Sequence, residues 1–307
     1  MFVLFLYVFV VSLPKQDFVV LSNRDGQPDL YRVQLPEQTW HRLTHSEEPE
    51  FYPKANEAGD LIFTTPIDGQ AELVLITSKG VRRQLTRSED GFEVMEPFFG
   101  PGPLITYNRI STNLRDEHAT AVSGEIWTCT RDGNSHSLLL KRDGLDFNPV
   151  IRGAYLLTVS NDFKTYFDHP LSLYATHLKT METQKLTDGF EAHGSWFDDA
   201  SWLAIHYNSG EGDPRPTNVY LIKRAETPDQ WQPIGKPEWG EDVRLPNADA
   251  SGRYVLMTAR AKKPDSEATH AMASYQGYQI WIYDREKGTH QELSSAEHAV
   301  EGAWFIP

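Results

Sequence analysis

The chain has 307 residues, of which 39% are hydrophobic and 23% charged, a balance that excludes both a disordered polymer and a membrane-embedded one. With 43 Asp and Glu against 29 Lys and Arg, the formal charge is −14; such a surface repels a phosphate backbone, argues against nucleic acid as a partner, and favours cations and basic protein faces. The single cysteine, Cys129, allows neither an internal disulfide nor a zinc site built on several thiolates.

From the N-terminus, Phe2 to Val11 is an uninterrupted apolar run. It is too short to span a bilayer, and it suits the apolar core of a signal peptide, with Val10 and Ser12 small enough for a cleavage site after Ser12. No Lys or Arg precedes the run, and the competing reading is a buried edge strand. Residues 1–16 are therefore set apart as a signal peptide or N-terminal extension, and 17–307 as one folded domain. A periplasmic or secreted monomer without a transmembrane segment is expected.

A repeated pattern begins at Phe18. An apolar strand, Val19-Val20-Leu21, is followed by Asp29-Leu30-Tyr31: an acidic or polar residue, an aliphatic one and usually an aromatic one. The pair returns as Leu61-Ile62-Phe63 with Glu72-Leu73-Val74, then as Leu104 to Tyr107 with Glu125-Ile126-Trp127. It continues as Tyr155 to Val159 with Ser172-Leu173-Tyr174, Leu203 to Tyr207 with Asn218-Val219-Tyr220, and Tyr254 to Met257 with Gln279-Ile280-Trp281. The third positions recur at intervals of 43, 53, 47, 46 and 61 residues, and the shortest matches a four-stranded propeller blade. A further strand often ends in Leu-Thr, as at Leu43-Thr44, Leu85-Thr86 and Leu186-Thr187, with Leu293-Ser294 close to it. Asp25-Gly26, Asp68-Gly69 and Asp132-Gly133 signal hairpin turns, since a type I′ turn needs positive φ at both central residues. The remaining strand of each unit is announced by Pro or an aromatic before a loose turn, as at Tyr52-Pro53, Pro97, Pro149, Trp196 and Pro246. We label this innermost strand A, with B, C and D following outward. Cys129 falls in a strand as a buried, inert thiol.

The series enters at strand B and ends at Glu301 to Pro307, which reads as a strand A. That last strand is expected to complete the first blade and so close the ring. The expected fold is all-β: a six-bladed β-propeller of four-stranded antiparallel blades. The stretch from Asp17 to Tyr31, DFVVLSNRDGQPDLY, resembles the repeat of the TolB-like propeller family, and the similarity runs from about residue 17 to the end. The resemblance implies that same propeller and a use in protein contacts. The additional N-terminal α/β domain of TolB has no counterpart here.

Loop position then predicts a site. D-to-A and B-to-C loops share one face of the disc, and A-to-B and C-to-D turns the other. Long B-to-C segments at Ile110 to Gly124, Asp162 to Pro170, Ser209 to Pro216 and Ala261 to Gln276 wall the first face. A carboxylate precedes each strand A landmark: Glu50, Glu93, Asp146, Glu191, Asp242 and Glu301. Such a ring either accepts turn hydrogen bonds or forms an acidic funnel for a cation or basic peptide. Phe51, Phe92, Phe147, Phe190, Trp196 and Trp304 lie beside it, as blade-to-blade core or as binding platforms. His118, His169, His193 and His270 fall on the same face. No cofactor is expected, although imidazoles and carboxylates together leave a divalent cation open.

The leading expectation is a non-enzymatic, exported binding propeller that recognises a protein segment, or a small cationic or carbohydrate ligand, at this acidic, loop-walled face. The alternative is a carbohydrate-active hydrolase or lyase using carboxylates at the channel mouth, possibly with a metal; Glu93, Asp146 and Glu191 would lead there. A third reading, the propeller of a prolyl-oligopeptidase-like enzyme, expects a hydrolase domain that does not follow here. The sequence carries no G-x-S-x-G elbow, P-loop, dinucleotide fingerprint or H-E-x-x-H.

Overall fold

The computed structural model describes residues 13–26, 28–89, 91–112, 121–161, 171–187, 191–198, 201–206, 218–223, 230–236, 243–260, 277–294, 298 and 300–306. Among the described residues, twenty-four strands form six sheets of four. In chain order they are β1 (Phe18–Ser22), β2 (Asp29–Gln34) and β3 (Thr39–Arg42); β4 (Phe51–Ala55), β5 (Leu61–Ile67), β6 (Gln70–Ile76) and β7 (Arg82–Gln84); β8 (Phe92–Phe99), β9 (Leu104–Thr112), β10 (Ala121–Thr130) and β11 (His136–Lys141). Then come β12 (Leu145–Arg152), β13 (Tyr155–Asn161), β14 (Ser172–His177) and β15 (Thr183–Lys185); β16 (Glu191–Asp198), β17 (Ser201–His206), β18 (Asn218–Lys223) and β19 (Gln232–Pro233); β20 (Val243–Ala248), β21 (Tyr254–Ala259), β22 (Gln279–Asp284) and β23 (Thr289–Glu292); and β24 (Val300–Phe305).

Blades two to six run A to D in chain order. Blade one is β24-β1-β2-β3, so the last strand does close the ring. Phe18 pairs with Phe305 and Ser22 with Val300, all antiparallel. The core lies between neighbouring blades. One cluster joins Phe18, Val20 and Tyr31 of blade one to Leu256, Ile280 and Ile282 of blade six. Equivalent clusters join blades one and two, two and three, four and five, and five and six. Because each sheet is covered on both faces, the B strands are apolar without alternation: β1 is buried throughout, as are β17 and β21. The outer strand β3 is never fully buried. Each Leu, Val or Phe buried in this way contributes about 1.5–3 kcal/mol. Cys129 is buried at the blade two–three interface, where burial pushes its thiol up to about 12.

The repeat motif has a hydrogen-bonding cause. At the end of strand D, the Leu43 N–H donates to Leu30 O, while Leu30 N–H donates to Thr44 Oγ1 at 2.9 Å. Leu85-Thr86 does the same to Leu73, Leu186-Thr187 to Leu173, and Leu293-Ser294 to Ile280. In the first two blades the threonine hydroxyl also faces the acid that opens strand C: Thr86 donates to Glu72, and Thr44 lies 3.2 Å from Asp29 while its single proton points to Glu50. That acid accepts the N–H two residues beyond the threonine as well, from Ser46 or Ser88. The acid-aliphatic start of strand C and the Leu-Thr end of strand D are therefore one lock, closing the outer edge of the blade.

Of the three turn signals, only Asp68-Gly69 has both residues at positive φ, 53° and 79°. At Asp25-Gly26 and Asp132-Gly133 the glycine alone does, so these are wider turns than the sequence predicted.

Candidate functional site

Strand A of every blade is broken by a bulge at one place. The register slips between Phe51 and Lys54, Met95 and Phe98, Phe147 and Val150, Ala192 and Ser195, and Arg244 and Asn247, and opposite Val19 to Leu21 in β24. At each described break with a positive φ, the residue is followed by Pro or Ala: Tyr52-Pro53, Glu96-Pro97, Asn148-Pro149, Leu245-Pro246 and Gly302-Ala303. Four of these five left-handed residues are not glycine, a conformation that costs about 1–2 kcal/mol each and that bulges use to re-aim side chains. The bulges are tied blade to blade. Thr106 Oγ1 donates to Pro149 O at 2.7 Å, Ser195 Oγ to Pro246 O at 2.8 Å, and Asn247 Nδ2 to Ala303 O at 2.5 Å.

The ring carboxylates stand before these bulges, at the loop-face end of strand A. Three have described side chains. Glu50 is fully buried; Thr44 Oγ1 donates to its Oε2, and burial raises its carboxyl from 4.5 to about 7 against the opposing help of that hydroxyl. Asp146 is fully buried and gripped on both oxygens by Arg142, whose guanidinium also stacks 4.2 Å over Tyr174. Glu93 is half-buried, has no hydrogen bond among the described residues, and is held above the usual carboxylate range by burial. Glu191, His193 and Glu301 lie in β16 and β24, but their side chains, together with Asp242, His118, His169 and His270, are outside the described residues. Four of the sequence aromatics are described. Phe147 is core, Phe51 packs against the blade one–two cluster, and Phe92 lies under Arg109 at 3.8 Å. Trp304 sits beyond its bulge, toward the opposite mouth.

At that mouth, among the A-to-B and C-to-D turns, a cleft of about 630 Å³ opens over the channel. Its lining includes the residues that follow five of the six bulges: Lys54, Phe98, Val150, Asn247 and Trp304. The Lys54 ammonium lies 4.6 Å from the Phe98 ring centre and 4.5 Å from that of Trp304, and the two rings meet edge to face at 5.5 Å. Glu96 stands nearby; burial raises its carboxyl, while Asn148 N–H, Lys54 and Asn108 Nδ2 oppose the rise. The rim carries Asn56, Glu57 and Ala58 of one turn, Arg131 of another, Arg152, and Asp249 with Ala250. A second described cleft, about 150 Å³, lies against Arg109, Trp127 and His136 on blade three.

No family model matches the chain, and no curated protein matches it. Solved structures do. TolB from Acinetobacter baumannii superposes at a TM-score of 0.69 with 15% identity, over 97% of this chain and 68% of that one. Hydrazine synthase from Kuenenia stuttgartiensis gives 0.70 with 9% identity, over 96% and 47%. A chain of a nidogen–laminin complex gives 0.62 with 10% identity, over 95% and 98%. At these identities the likeness establishes architecture alone, and that architecture hosts both binding proteins and enzymes.

Proposed function

The fold is that of the TolB-like six-bladed propellers, and from it we propose that this chain is a non-enzymatic, exported binding module that holds a protein segment or small ligand at a mouth of its axial channel. The observation that carries the reading is the contrast between the two mouths. On the loop face, Glu50 and Asp146 are spent inside their own blades on Thr44 and Arg142. Glu50 has a carboxyl titrating near 7, as a general acid would, but it is fully buried and cannot meet a glycosidic oxygen. The turn face instead offers a preformed, open cleft with aromatic and cationic side chains in its lining, the form of a binding site. Glu93, whose carboxyl has no hydrogen bond among the described residues, leaves the loop-face mouth a smaller part in the proposal. Together with Glu191, Asp242 and Glu301, and with His118, His169, His193 and His270, it would favour a cation there.

The test uses the cleft rim. Ala58 and Ala250 are exposed and line the opening, so Ala58→Trp with Ala250→Trp should block it without touching the core. Peptide and glycan arrays probed with the parent and the double variant should show capture by the parent, loss in the variant, and no product from any glycan. Oligosaccharide cleavage by the parent, or capture that ignores both tryptophans, would overturn the proposal.

A further inference from the structure

We infer that the turn-face cleft is built for the carboxylate of an acidic peptide segment, read by Arg131 and Arg152 on the rim with Lys54 beneath; this rests on the cleft being the binding site. The first ground is local charge. The whole chain is −14, yet the charged residues lining this cleft are three cations, Lys54, Arg131 and Arg152, and two acids, Glu57 and Asp249. Asp249 is already committed, accepting from Tyr254 N–H at 2.8 Å and from Ser251 N–H and Oγ. By its lining residues the cleft carries one net positive charge on a molecule of −14, with Glu96 and Asp60 lying behind Lys54 and Arg131, and low-dielectric walls focus that local excess.

The second ground is how lightly Arg131 is held. Its guanidinium reaches Asp60 only at 3.4 Å from Nη1 and lies 5.2 Å over the Phe99 ring, and its Nε is buried without an acceptor among the described residues. A buried donor left unpaired is destabilising, and a ligand oxygen would relieve it once the guanidinium turns toward it. Asp60 does not need Arg131, because Oδ1 accepts from Ser78 N–H at 2.9 Å and Oδ2 from Asn56 Nδ2 at 3.0 Å. Arg131 can therefore rotate into the cleft and leave a satisfied carboxylate behind. A guanidinium binds a carboxylate through two parallel N–H bonds, a geometry that an ammonium cannot offer. Arg152 is exposed on the neighbouring blade and faces the same opening. Trp304, partly exposed in the lining of the same cleft, gives the apolar part of a bound segment a surface to lie on.

Fluorescein-labelled hexaglutamate, hexaglutamine and hexalysine, titrated by anisotropy against the full chain, test this. Hexaglutamate should bind at least about tenfold tighter than hexaglutamine, and hexalysine should not compete. Affinity should fall as salt rises from about 0.1 to 1 M, where the screening length drops from about 10 to about 3 Å. Arg152→Gln should weaken hexaglutamate about three- to tenfold, and Arg152→Lys should restore part of the loss. Arg131→Gln should weaken it further, with an unchanged melting temperature as the check on folding. Equal binding of hexaglutamine and hexaglutamate, both lost in the Ala58→Trp, Ala250→Trp variant, would overturn the carboxylate reading and leave the cleft as the binding site. Hexaglutamate binding that survives the double tryptophan variant would remove both. Binding indifferent to Arg131 and Arg152 would also overturn the inference.

Discussion

Replacing Asn247 with leucine should loosen the closure of the ring. β24 is the innermost strand of blade one, so one row of its backbone groups points away from β1 and has no strand to pair with. Asn247, on the neighbouring blade, meets that row twice: its Nδ2 donates to Ala303 O at 2.5 Å, and its Oδ1 accepts from Phe305 N–H at 3.1 Å. Asn247 is only 2% exposed, so water does not replace it. Leucine has the same branching and no polar atom, and it strands two buried backbone groups. Each stranded group costs about 1–3 kcal/mol, and the added apolar contact returns a part, leaving a net loss of about 2–4 kcal/mol. For a domain of this size that is roughly 2 °C per kcal/mol, a fall in Tm of about 4–8 °C by calorimetry. Hydrogen exchange locates the effect, since the Phe305 amide should lose protection before those of β1. An unchanged Tm, or Phe305 protection equal to that of the parent, would refute the idea that Asn247 fastens the last strand.

Three other outcomes are expected. Ending the chain before Glu301 removes most of β24 and exposes two strand edges, so the truncated protein should melt well below the parent or aggregate; a light-scattering thermal scan decides. Thr86→Val removes the hydroxyl that accepts from Leu73 N–H and donates to Glu72, and should lower stability by about 1–3 kcal/mol in a urea titration with the slope unchanged. Glu50 has a folded pKa of about 7 against an ordinary 4.5; such a raised acid stabilises below its unfolded pKa and loses that contribution as pH rises through the folded one. The parent's Tm should therefore fall between about pH 5 and 8, and Glu50→Gln should flatten that slope; equal slopes in the two proteins would reject the assignment.

The blades were legible in the sequence because their signal is periodic and chemical at once. Strand B must be apolar on both faces, and strand C opens with an acidic or polar residue beside the Leu-Thr end of strand D. The bulge in strand A left a fainter mark. Pro53, Pro97, Pro149 and Pro246 read as announcements of a strand, whereas they follow left-handed residues within one. Carried one position further, that alignment leads to Lys54, Phe98, Val150, Asn247 and Trp304, all in the lining of the cleft. These side chains share a location and no chemistry, so a search for similarity passes over them. Two members of the carboxylate ring, Glu50 and Asp146, posed the opposite difficulty. The ring's members are chemically alike, but residue type does not separate an acid that faces a ligand from one already bonded. Thr44, six residues before Glu50, and Arg142, four before Asp146, were the available signs.

The pairing of β24 with β1 also sets a timetable for biosynthesis. Strand Phe18–Ser22 leaves the ribosome long before its inner neighbour, which ends at Phe305. At about 5–20 residues per second, the first blade waits roughly 15–60 s with three strands and an open inner edge. Throughout that interval the five other blades can stack in order, each onto the one before, while the first stays a template for any extended segment nearby. Only the final strand ends that exposure, and it does so for the whole ring at once.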